Sequence, residues 1–377
     1  MIEADIVVVG AGIAGASAAY ALAPHARVIV LEREERPGYH STGRSAALFS
    51  ATYGNAPVRA LARAGRTFLE SPPLGFATHP ILAPRGSLVY GDPGQRDALA
   101  ARCDDWRATG TEVRLLSGAE VRALVPPLRE TVAEVGILEP GARDIDVDAL
   151  HQGFLRGARA GGVTFTMGAE LRAAEFGGGS WRLVTSAGEL RAPVLVNAAG
   201  AWADDVARIA GVAPLGIQPL RRTAVIFECA RFGGPQRWPM AVNAGETLYF
   251  KSDAGRFLAS PADQTPSPPC DAQPEEIDVA TLIDRLERET LFEVKRLTAK
   301  WAGLRSFAAD RTPVCGFDPR QPAFFWLAGQ GGYGIKTSPA LSALAAALIL
   351  RRGVPAALAD EGVDPHALAP GRAGTVA

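Results

Sequence analysis

The chain has 377 residues, of which 47% are hydrophobic and 21% charged, so it is long enough for two domains with sizeable cores. Its 39 basic and 40 acidic residues nearly cancel, which excludes the charge excess typical of proteins that bind nucleic acid or an anionic membrane. The four cysteines and five histidines lack metal-ligand spacing, and neither a transmembrane segment nor a signal peptide is predicted, so we expect no metal and a cytoplasmic location.

The first 32 residues have the pattern of a strand, a glycine-rich turn, a helix and a second strand. The turn carries Gly10, Gly12 and Gly15, spaced as in the dinucleotide-binding fingerprint, and the second strand ends at Glu32. Gly10 permits a tight turn, Gly12 lets the backbone approach a pyrophosphate, and Gly15 lets the helix pack closely on the strand. The helix N-terminus attracts phosphate charge, and a carboxylate at position 32 can bind a ribose. We predict a bound dinucleotide, whose kind this motif leaves open.

Later segments return to this type of structure. An amphipathic helix is predicted over residues 149–160, with Asp148 near its cap. Strands follow from residue 163, with a glycine hairpin turn at residues 177–179. The continuous apolar run at residues 192–198 leads into a small-residue turn, which is typical of a buried parallel strand.

The intervening segments have a different pattern, in which short helices and Pro/Gly breaks alternate with runs that suit an antiparallel sheet. The predicted elements are strands at 87–90, 223–228 and 247–250, a proline-rich loop at 261–274 and an exposed helix at 275–296. We therefore predict an α/β (α+β) chain with a discontinuous nucleotide-binding domain at 1–50, 145–215 and 310–377 and a sheet-based substrate domain at 51–144 and 216–309.

The chain ends with a third return to the first domain. A strand beginning at residue 324 precedes four glycines within residues 329–334, and a helix is predicted over residues 339–350. A tight strand-to-helix turn explains one or two of these glycines. Four within six residues favour a backbone that approaches a flat ligand or an anion.

Five motifs stand in order along the chain: the opening fingerprint with residues 31–33, then residues 38–47, 197–202, 301–307 and 329–334. Together they resemble the D-amino-acid oxidase superfamily of FAD enzymes, and most closely its bacterial FAD-dependent D-arginine dehydrogenases. The similarity covers essentially the whole chain. It implies a Rossmann-like FAD-binding domain and an antiparallel-sheet substrate domain.

The resemblance also implies which residues contact FAD. It places the opening glycines at the pyrophosphate, residues 32–33 at the adenosine end, residues 41–47 beside the isoalloxazine ring, and residues 331–336 at its pyrimidine side. The implied cofactor residues are Gly10, Gly12, Ala14, Gly15, Glu32, Arg33, Ser41, Thr42, Gly43, Arg44, Ser45, Ala46, Ala47, Leu48, Glu170, Leu171, Gly200, Trp202, Gly303, Gly331, Gly332, Tyr333, Gly334, Ile335 and Lys336.

On the substrate side, the resemblance implies that Arg222 and Arg305 clamp an α-carboxylate. Two guanidinium groups can hold a carboxylate bidentately and fix the Cα–H against the flavin. Tyr249 would add a hydroxyl to that carboxylate, and Tyr53 would close the pocket from a loop. From the residues alone, Arg222 is equally well a solvated sheet edge, and both tyrosines are ordinary core or rim aromatics.

Departures from the resemblance affect the expected substrate. D-arginine dehydrogenases carry an acid where this chain has Ser87, so the partner for a cationic side chain is lost. They carry a histidine where this chain has Leu48, which makes the region near the flavin more apolar and removes a polar partner for the substrate amine. Gly332 completes the implied pocket. Lys336 resembles the carboxylate-binding lysine of sarcosine oxidases, whose flavin-linking cysteine falls at Gly303 here. FAD is therefore expected to be non-covalent.

The sequence thus predicts an FAD-dependent dehydrogenase that prefers neutral or apolar D-amino acids and passes electrons to a quinone or another carrier. The alternatives are oxidation of a secondary amine or a 2-hydroxy acid, with oxidase activity left open, and a non-catalytic flavoprotein subunit. A peripheral position at the inner face of the bacterial membrane is the alternative to a purely cytoplasmic one.

Overall fold

The computed structural model describes residues 2–232 and 237–372, so the last five residues of the predicted first domain lie outside it. The helices are α1 (Ile13–Leu22), α2 (Ala56–Glu70), α3 (Arg96–Ala108), α4 (Gly118–Leu124), α5 (Val147–Ala160), α6 (Ala203–Ile209), α7 (Glu276–Glu289), α8 (Gly334–Ile349) and α9 (Ala356–Ala359). The strands are β1 (Ile2–Glu3), β2 (Ile6–Val9), β3 (Val28–Leu31), β4 (Leu48–Phe49), β5 (Leu82–Pro84), β6 (Ser87–Gly91), β7 (Arg114–Ser117), β8 (Val135–Glu139), β9 (Arg143–Ile145), β10 (Thr164–Thr166), β11 (Leu171–Gly177), β12 (Ser180–Thr185), β13 (Gly188–Ala192), β14 (Val194–Asn197), β15 (Gln218–Phe227), β16 (Met240–Asn243), β17 (Tyr249–Asp253), β18 (Arg256–Ser260), β19 (Thr265–Pro266), β20 (Leu297–Phe307), β21 (Val314–Phe317) and β22 (Phe324–Ala328).

The glycine fingerprint belongs to a six-stranded sheet with the order β10-β3-β2-β14-β22-β21. Its strands are parallel apart from the antiparallel pair of β21 and β22. Helices α1 and α8 pack on one face, and the four-stranded sheet β1-β13-β12-β11 covers the other. Because both faces are covered, β2 and β22 are apolar along their whole length, as predicted for buried parallel strands. The α/β prediction is confirmed.

The second large sheet has the order β19-β15-β18-β17-β16-β6-β8-β7, with β20 paired to β15. Successive side chains along a strand point to opposite faces of the sheet. Leu88 and Tyr90 face a core with α4 and α7, whereas Ser87 and Val89 face a cavity. One strand thus supplies both packing and a candidate binding surface.

The strands of these two large sheets fall within the two sets of residues predicted as separate domains. A small sheet with the order β4-β9-β5 lies at the junction. We keep the two-domain division, with the boundaries given above, as a proposal. Among the described residues, no helix is long and apolar enough to cross a membrane.

The hairpin turn predicted at residues 177–179 is present. Gly177 pairs with Ser180, and Gly178 and Gly179 both have positive φ, at 57° and 79°. This is the backbone that a two-residue hairpin with the right twist requires. The cap of α5 is shifted slightly from the prediction, since Asp146 accepts the hydrogen bond from the Ala149 amide.

Two predicted helices have wrong limits. The helix predicted over residues 275–296 ends at Glu289, because Thr290 is extended and bridges to Leu128. The helix predicted to begin at Pro339 begins instead at Gly334, so the proline lies inside it. A proline cannot donate to the carbonyl four residues earlier. That carbonyl, of Ile335, accepts a hydrogen bond from the Ser338 hydroxyl at 2.9 Å.

Candidate active site

A cavity of about 720 Å³ lies at the carboxyl ends of β2 and β14, where it meets one face of the nine-stranded sheet. Ligands of open parallel sheets bind at this edge. The structure places most predicted site residues on its wall: Gly12, Ala14, Ser41, Thr42, Arg44, Ser45, Ala46, Ala47, Leu48, Tyr53, Ser87, Gly200, Arg222, Tyr249, Gly303, Arg305, Gly331, Gly332, Tyr333, Gly334 and Ile335. The predicted residues that lie behind or away from this wall are Gly10, Gly15, Glu32, Arg33, Gly43, Glu170, Leu171, Trp202 and Lys336.

The opening turn is closely packed. Gly10 has φ of 103°, and a Cβ on it would lie 2.5 Å from the Ala198 carbonyl oxygen. A Cβ on Gly15 would lie 1.8 Å from the carbonyl oxygen of Gly10. No such contact is tolerated, so both positions require glycine for the turn and the helix to keep their places. These two residues shape the site from beneath its wall.

The cavity wall fits a dinucleotide. Helix α1 begins after Gly12 with no side-chain cap and no acidic residue in its first turn, so its N-terminus can attract an anion. The Ile13 amide donates to the Thr42 hydroxyl at 3.0 Å, which ties the loop of residues 41–47 to this helix. The buried Ser306 hydroxyl lines the cavity and has no hydrogen-bond partner among the described residues. A bound group would supply that partner.

A residue that the sequence analysis missed supports the same turn. His151 is 4% exposed on α5, and its Nε2 lies 2.9 Å from the Ala11 carbonyl oxygen. Since a carbonyl only accepts, Nε2 must carry the proton. Burial lowers the pKa of His151, which favours the neutral ring. The signal was its position on the apolar face of a predicted helix.

The predicted adenosine-end residues form a cluster of their own. The Glu32 carboxylate accepts from the amides of Ala11, at 2.8 Å, and Glu34, at 3.0 Å. The Arg33 guanidinium lies 4.1 Å from the ring centroid of Trp202. Glu32 therefore braces the glycine turn, and each of its oxygens keeps a lone pair. Contact of these residues with a ribose stays a prediction.

Two arginines project into the cavity from neighbouring strands, Arg222 from β15 and Arg305 from β20. Arg305 Nη2 donates to the Tyr53 hydroxyl at 2.6 Å, and Arg222 Nε donates to the Asp263 carbonyl oxygen at 2.8 Å. Burial and the nearby charge of Arg305 lower the pKa of Arg222. Arg305 has no carboxylate partner among the described residues. An anion between the two guanidinium groups would relieve their repulsion.

The Asp263 carboxylate is not a free partner for this pair. Its two oxygens accept from the Thr223 amide at 2.7 Å and the Thr223 hydroxyl at 3.1 Å, and Arg222 Nε lies 3.8 Å from it. Arg221, the neighbour of Arg222 on β15, points away and pairs with Glu275 and Asp278. The strand therefore separates one structural arginine from one that faces the cavity.

Gly332 decides where Arg305 lies. A Cβ at this position would fall 1.4 Å from Arg305 Nη2, so the guanidinium rests directly against the main chain of the glycine-rich turn. The sequence pattern allowed a tight turn for one or two of these glycines and favoured a ligand or an anion for the set, whereas at Gly332 the group that approaches the main chain is the Arg305 side chain. The turn and the arginine form one surface.

The wall beyond the clamp is largely apolar. On β6 and β16, Ser87 pairs with Met240 and Val89 with Val242, so these side chains share a face. Val242 also pairs with Tyr249. The charged residues on this part of the wall are Arg102 and Glu246, 3.9 Å apart. The side chain of a ligand held by the arginines would meet the apolar side chains of Val89, Met240 and Val242 and the Ser87 hydroxyl, with the Arg102–Glu246 pair on the same part of the wall.

Lys336 does not reach the cavity. It is 2% exposed, and its Nζ donates to the main-chain carbonyl oxygens of Ser50 at 2.8 Å and Tyr53 at 2.6 Å. Burial lowers the pKa of Lys336 from 10.5 to about 7. The ammonium group is therefore committed to the loop that carries Tyr53, which differs from the carboxylate contact that the sequence had suggested.

The low pKa of Lys336 has a consequence for stability. Between pH 7 and 10 the unfolded chain holds a proton on this lysine that the folded chain lacks, so raising the pH favours folding. The charged or titratable groups facing its ammonium are Glu139, Arg59, Tyr53 and Tyr333. We expect the free energy of unfolding of the wild type, relative to Lys336→Met, to rise by up to about 1.4 kcal/mol per pH unit. Urea unfolding at pH 7, 8 and 9 measures it, and a constant difference would mean that the buried lysine stays charged.

Comparison with known proteins places this geometry in context. Residues 5–348 match the DAO family model, described as FAD dependent oxidoreductase. The chain is 23% identical over 410 residues to FAD-dependent oxidoreductase domain-containing protein 1 of Bos taurus, covering 92% of this chain and 81% of that protein. It is 29% identical over 222 residues to sarcosine oxidase subunit beta of Rhizobium meliloti, covering 55% and 52%. The structure resembles glycine oxidase from Geobacillus kaustophilus with a TM-score of 0.81 and 22% identity, covering 97% and 100%.

Proposed function

The chain belongs to the DAO family of FAD-dependent oxidoreductases, and from this premise we propose that it oxidises neutral, apolar D-amino acids to 2-oxo acids and ammonia. The observation that carries the proposal is the shared sheet face, on which an arginine pair for a carboxylate adjoins an apolar wall. The D configuration rests on the resemblance of the sequence motifs, so the test uses both enantiomers.

The side chains of the site have separable tasks. Arg222 and Arg305 bind the α-carboxylate, and the Tyr249 hydroxyl adds a hydrogen bond to it. Tyr53 lies against Arg305 and covers the carboxylate from the loop. Binding the carboxylate between the two arginines orients the Cα–H bond of the substrate. This orientation lowers the entropic cost of reaching the transition state. When bound, FAD supplies the acceptor for the hydride from Cα. Water then hydrolyses the imino acid to the 2-oxo acid and ammonia.

We further propose that FAD is bound non-covalently. Gly303 lies on the cavity wall at the position where the resemblance to sarcosine oxidases would place a linking cysteine. None of the four cysteines lies on that wall, and three of them are buried in cores. Acid precipitation of the purified protein should leave the yellow flavin in the supernatant. Colour retained in the pellet would contradict this proposal.

Anaerobic mixing tests the substrate class. The oxidised flavin absorbance should bleach with D-leucine, D-methionine or D-phenylalanine, more slowly with D-arginine, and not with the L-enantiomers. A protein that is coloured yet reduced by none of these amino acids would overturn the proposal and favour the non-catalytic subunit. Adding oxygen or a quinone to the reduced protein then identifies the electron acceptor, for which we propose a quinone or another carrier.

The same assay covers two other substrates. The similarity to a sarcosine oxidase subunit makes sarcosine the probe for a secondary amine. L-2-Hydroxyglutarate is the probe for a 2-hydroxy acid, and the dehydrogenase of that name in Salmonella houtenae is 27% identical over 221 residues. Faster bleaching by either compound than by every D-amino acid would replace the proposed substrate class while leaving the cofactor assignment intact.

The side-chain preference depends on Ser87, which lies on the apolar wall. Replacing it with glutamate places a carboxylate where a cationic substrate side chain would end. We expect Ser87→Glu to raise kcat/KM for D-arginine by about 100-fold, because a desolvated charge pair is worth a few kcal/mol of discrimination. The activity with D-leucine should fall.

Ser87→Gln is the matched control, since it has the size of glutamate without the charge. Steady-state kinetics with D-arginine and D-leucine compares the three proteins. An equal gain for D-arginine in the glutamine variant would show that shape, and not charge, excludes this substrate.

A further inference from the structure

The segment of residues 50–53 joins β4 to α2 and carries Tyr53 into the cavity. Two buried side chains from distant parts of the chain hold it. Glu139, at the end of β8, accepts hydrogen bonds from the Ser50 hydroxyl, the Ala51 amide and the Thr52 hydroxyl, each at 2.7 Å. The segment is therefore anchored residue by residue by a single carboxylate.

Lys336 holds the opposite side of the same segment. Its two hydrogen bonds go to the carbonyl oxygens of Ser50 and Tyr53, the first and last residues of the segment. Glu139 is 3% exposed and Lys336 is 2% exposed. The Glu139 carboxylate thus accepts from the donors of the segment, and Lys336 Nζ donates to its carbonyl oxygens. The polar groups of the segment therefore satisfy the hydrogen-bonding capacity of both buried side chains.

This arrangement holds the main chain of Tyr53 while its hydroxyl contacts Arg305 in the cavity. The Tyr53 side chain is 37% exposed, so packing alone holds it weakly. Its carbonyl oxygen is held by Lys336, and its hydroxyl accepts from Arg305. The ring centroid lies 5.1 Å from that of Tyr333. Releasing the main chain of the segment would therefore loosen the contact of Tyr53 with Arg305.

We propose that Lys336 and Glu139 are positioning residues that clasp the segment of residues 50–53 and so hold Tyr53 over the carboxylate site. The inference rests on the proposed function for its effect on substrate binding. Its effect on the segment itself needs no substrate. Lys336 acts through Tyr53 and does not contact the substrate.

Hydrogen–deuterium exchange of the holoenzyme tests the clasp directly. In Lys336→Met, amides of residues 50–54 should exchange at least about tenfold faster, because opening of the segment no longer has to break the two hydrogen bonds from Lys336 Nζ to its carbonyl oxygens. The peptide that covers β2 and α1 should be unchanged. Lys300→Met is the matched control, since its ammonium pairs with Glu276 at the surface, and it should exchange like the wild type.

The kinetic measurement separates positioning from a general loss of structure. In Lys336→Met, we expect KM for D-leucine and the dissociation constant of benzoate, read from flavin absorbance, to rise about tenfold while kcat changes less than threefold. Should this variant fail to fold, Glu139→Gln keeps an acceptor but removes the charge, and it should accelerate the same amides. Unchanged exchange of residues 50–54 in the folded variants would overturn the clasp. Faster exchange in a protein that oxidises no amino acid would overturn the proposed function alone.

Discussion

Arg305→Met is expected to lower kcat/KM for the amino-acid substrate by about 1,000-fold. The guanidinium lies against the main chain of Gly332, donates to the Tyr53 hydroxyl, and has no carboxylate partner among the described residues. Its remaining donors are therefore available to a substrate carboxylate. Removing one partner of a desolvated charge pair costs 2–5 kcal/mol, and about 4 kcal/mol corresponds to the stated loss. Steady-state kinetics and the rate of anaerobic flavin bleaching measure it.

Arg221→Met is the control for the loss of an arginine from this pair of strands. Arg221 precedes Arg222 on β15 but pairs with Glu275 and Asp278 away from the cavity. Its loss should reduce the stability of the fold and leave kcat/KM of the folded protein within about threefold of the wild type. A loss below tenfold in Arg305→Met, with FAD fully bound, would mean that the carboxylate is held elsewhere.

Gly15→Ala should yield a protein that is purified without FAD. The added Cβ would lie 1.8 Å from the carbonyl oxygen of Gly10, which is backbone and cannot rotate away. Helix α1 must then move from the end of β2, and its N-terminus leaves the position in which we expect it to bind the pyrophosphate. Overpacking costs 1–3 kcal/mol or more, and here it falls on the cofactor site. We expect less than about 10% of the wild-type ratio of flavin to protein absorbance.

Gly353→Ala is the matched control, because a Cβ there meets nothing within 4 Å. This variant should bind FAD as the wild type does. Circular dichroism of both variants shows whether the fold persists without the cofactor. Full flavin content in Gly15→Ala would contradict the role assigned to the close approach of α1 and β2.

The sequence predicted the parallel strands and the glycine turn because both follow from local rules. The continuous apolar runs of β2 and β22 indicate strands of a sheet that is covered on both faces. The φ of 103° at Gly10 is accessible without strain only to glycine. The pair Arg222 and Arg305 was predicted only from the resemblance of the sequence motifs to a known family. The structure adds that strand alternation turns Arg222 inward and Arg221 outward.

Helix limits were decided by contacts that local patterns do not contain. The helix predicted to reach residue 296 ends at Glu289, because Thr290 pairs with Leu128 and the chain proceeds to β20. The helix that begins at Gly334 tolerates Pro339 because the Ser338 hydroxyl satisfies the carbonyl oxygen of Ile335. A tertiary or side-chain partner outweighs propensity in both cases.

The sequence by itself determined the strand, glycine turn and helix of the opening residues, since these depend on residue type and spacing, and the resemblance of its motifs indicated the family and the two arginines proposed to bind a carboxylate. Only the tertiary structure decided that Lys336 donates to the loop of residues 50–53 and does not line the cavity. A lysine side chain with four methylene groups can reach a cavity or a carbonyl oxygen from the same helix position, and burial in a compact core selects its hydrogen-bond partners. The same burial brings Glu139, nearly two hundred residues away in sequence, to the other side of the segment that carries Tyr53.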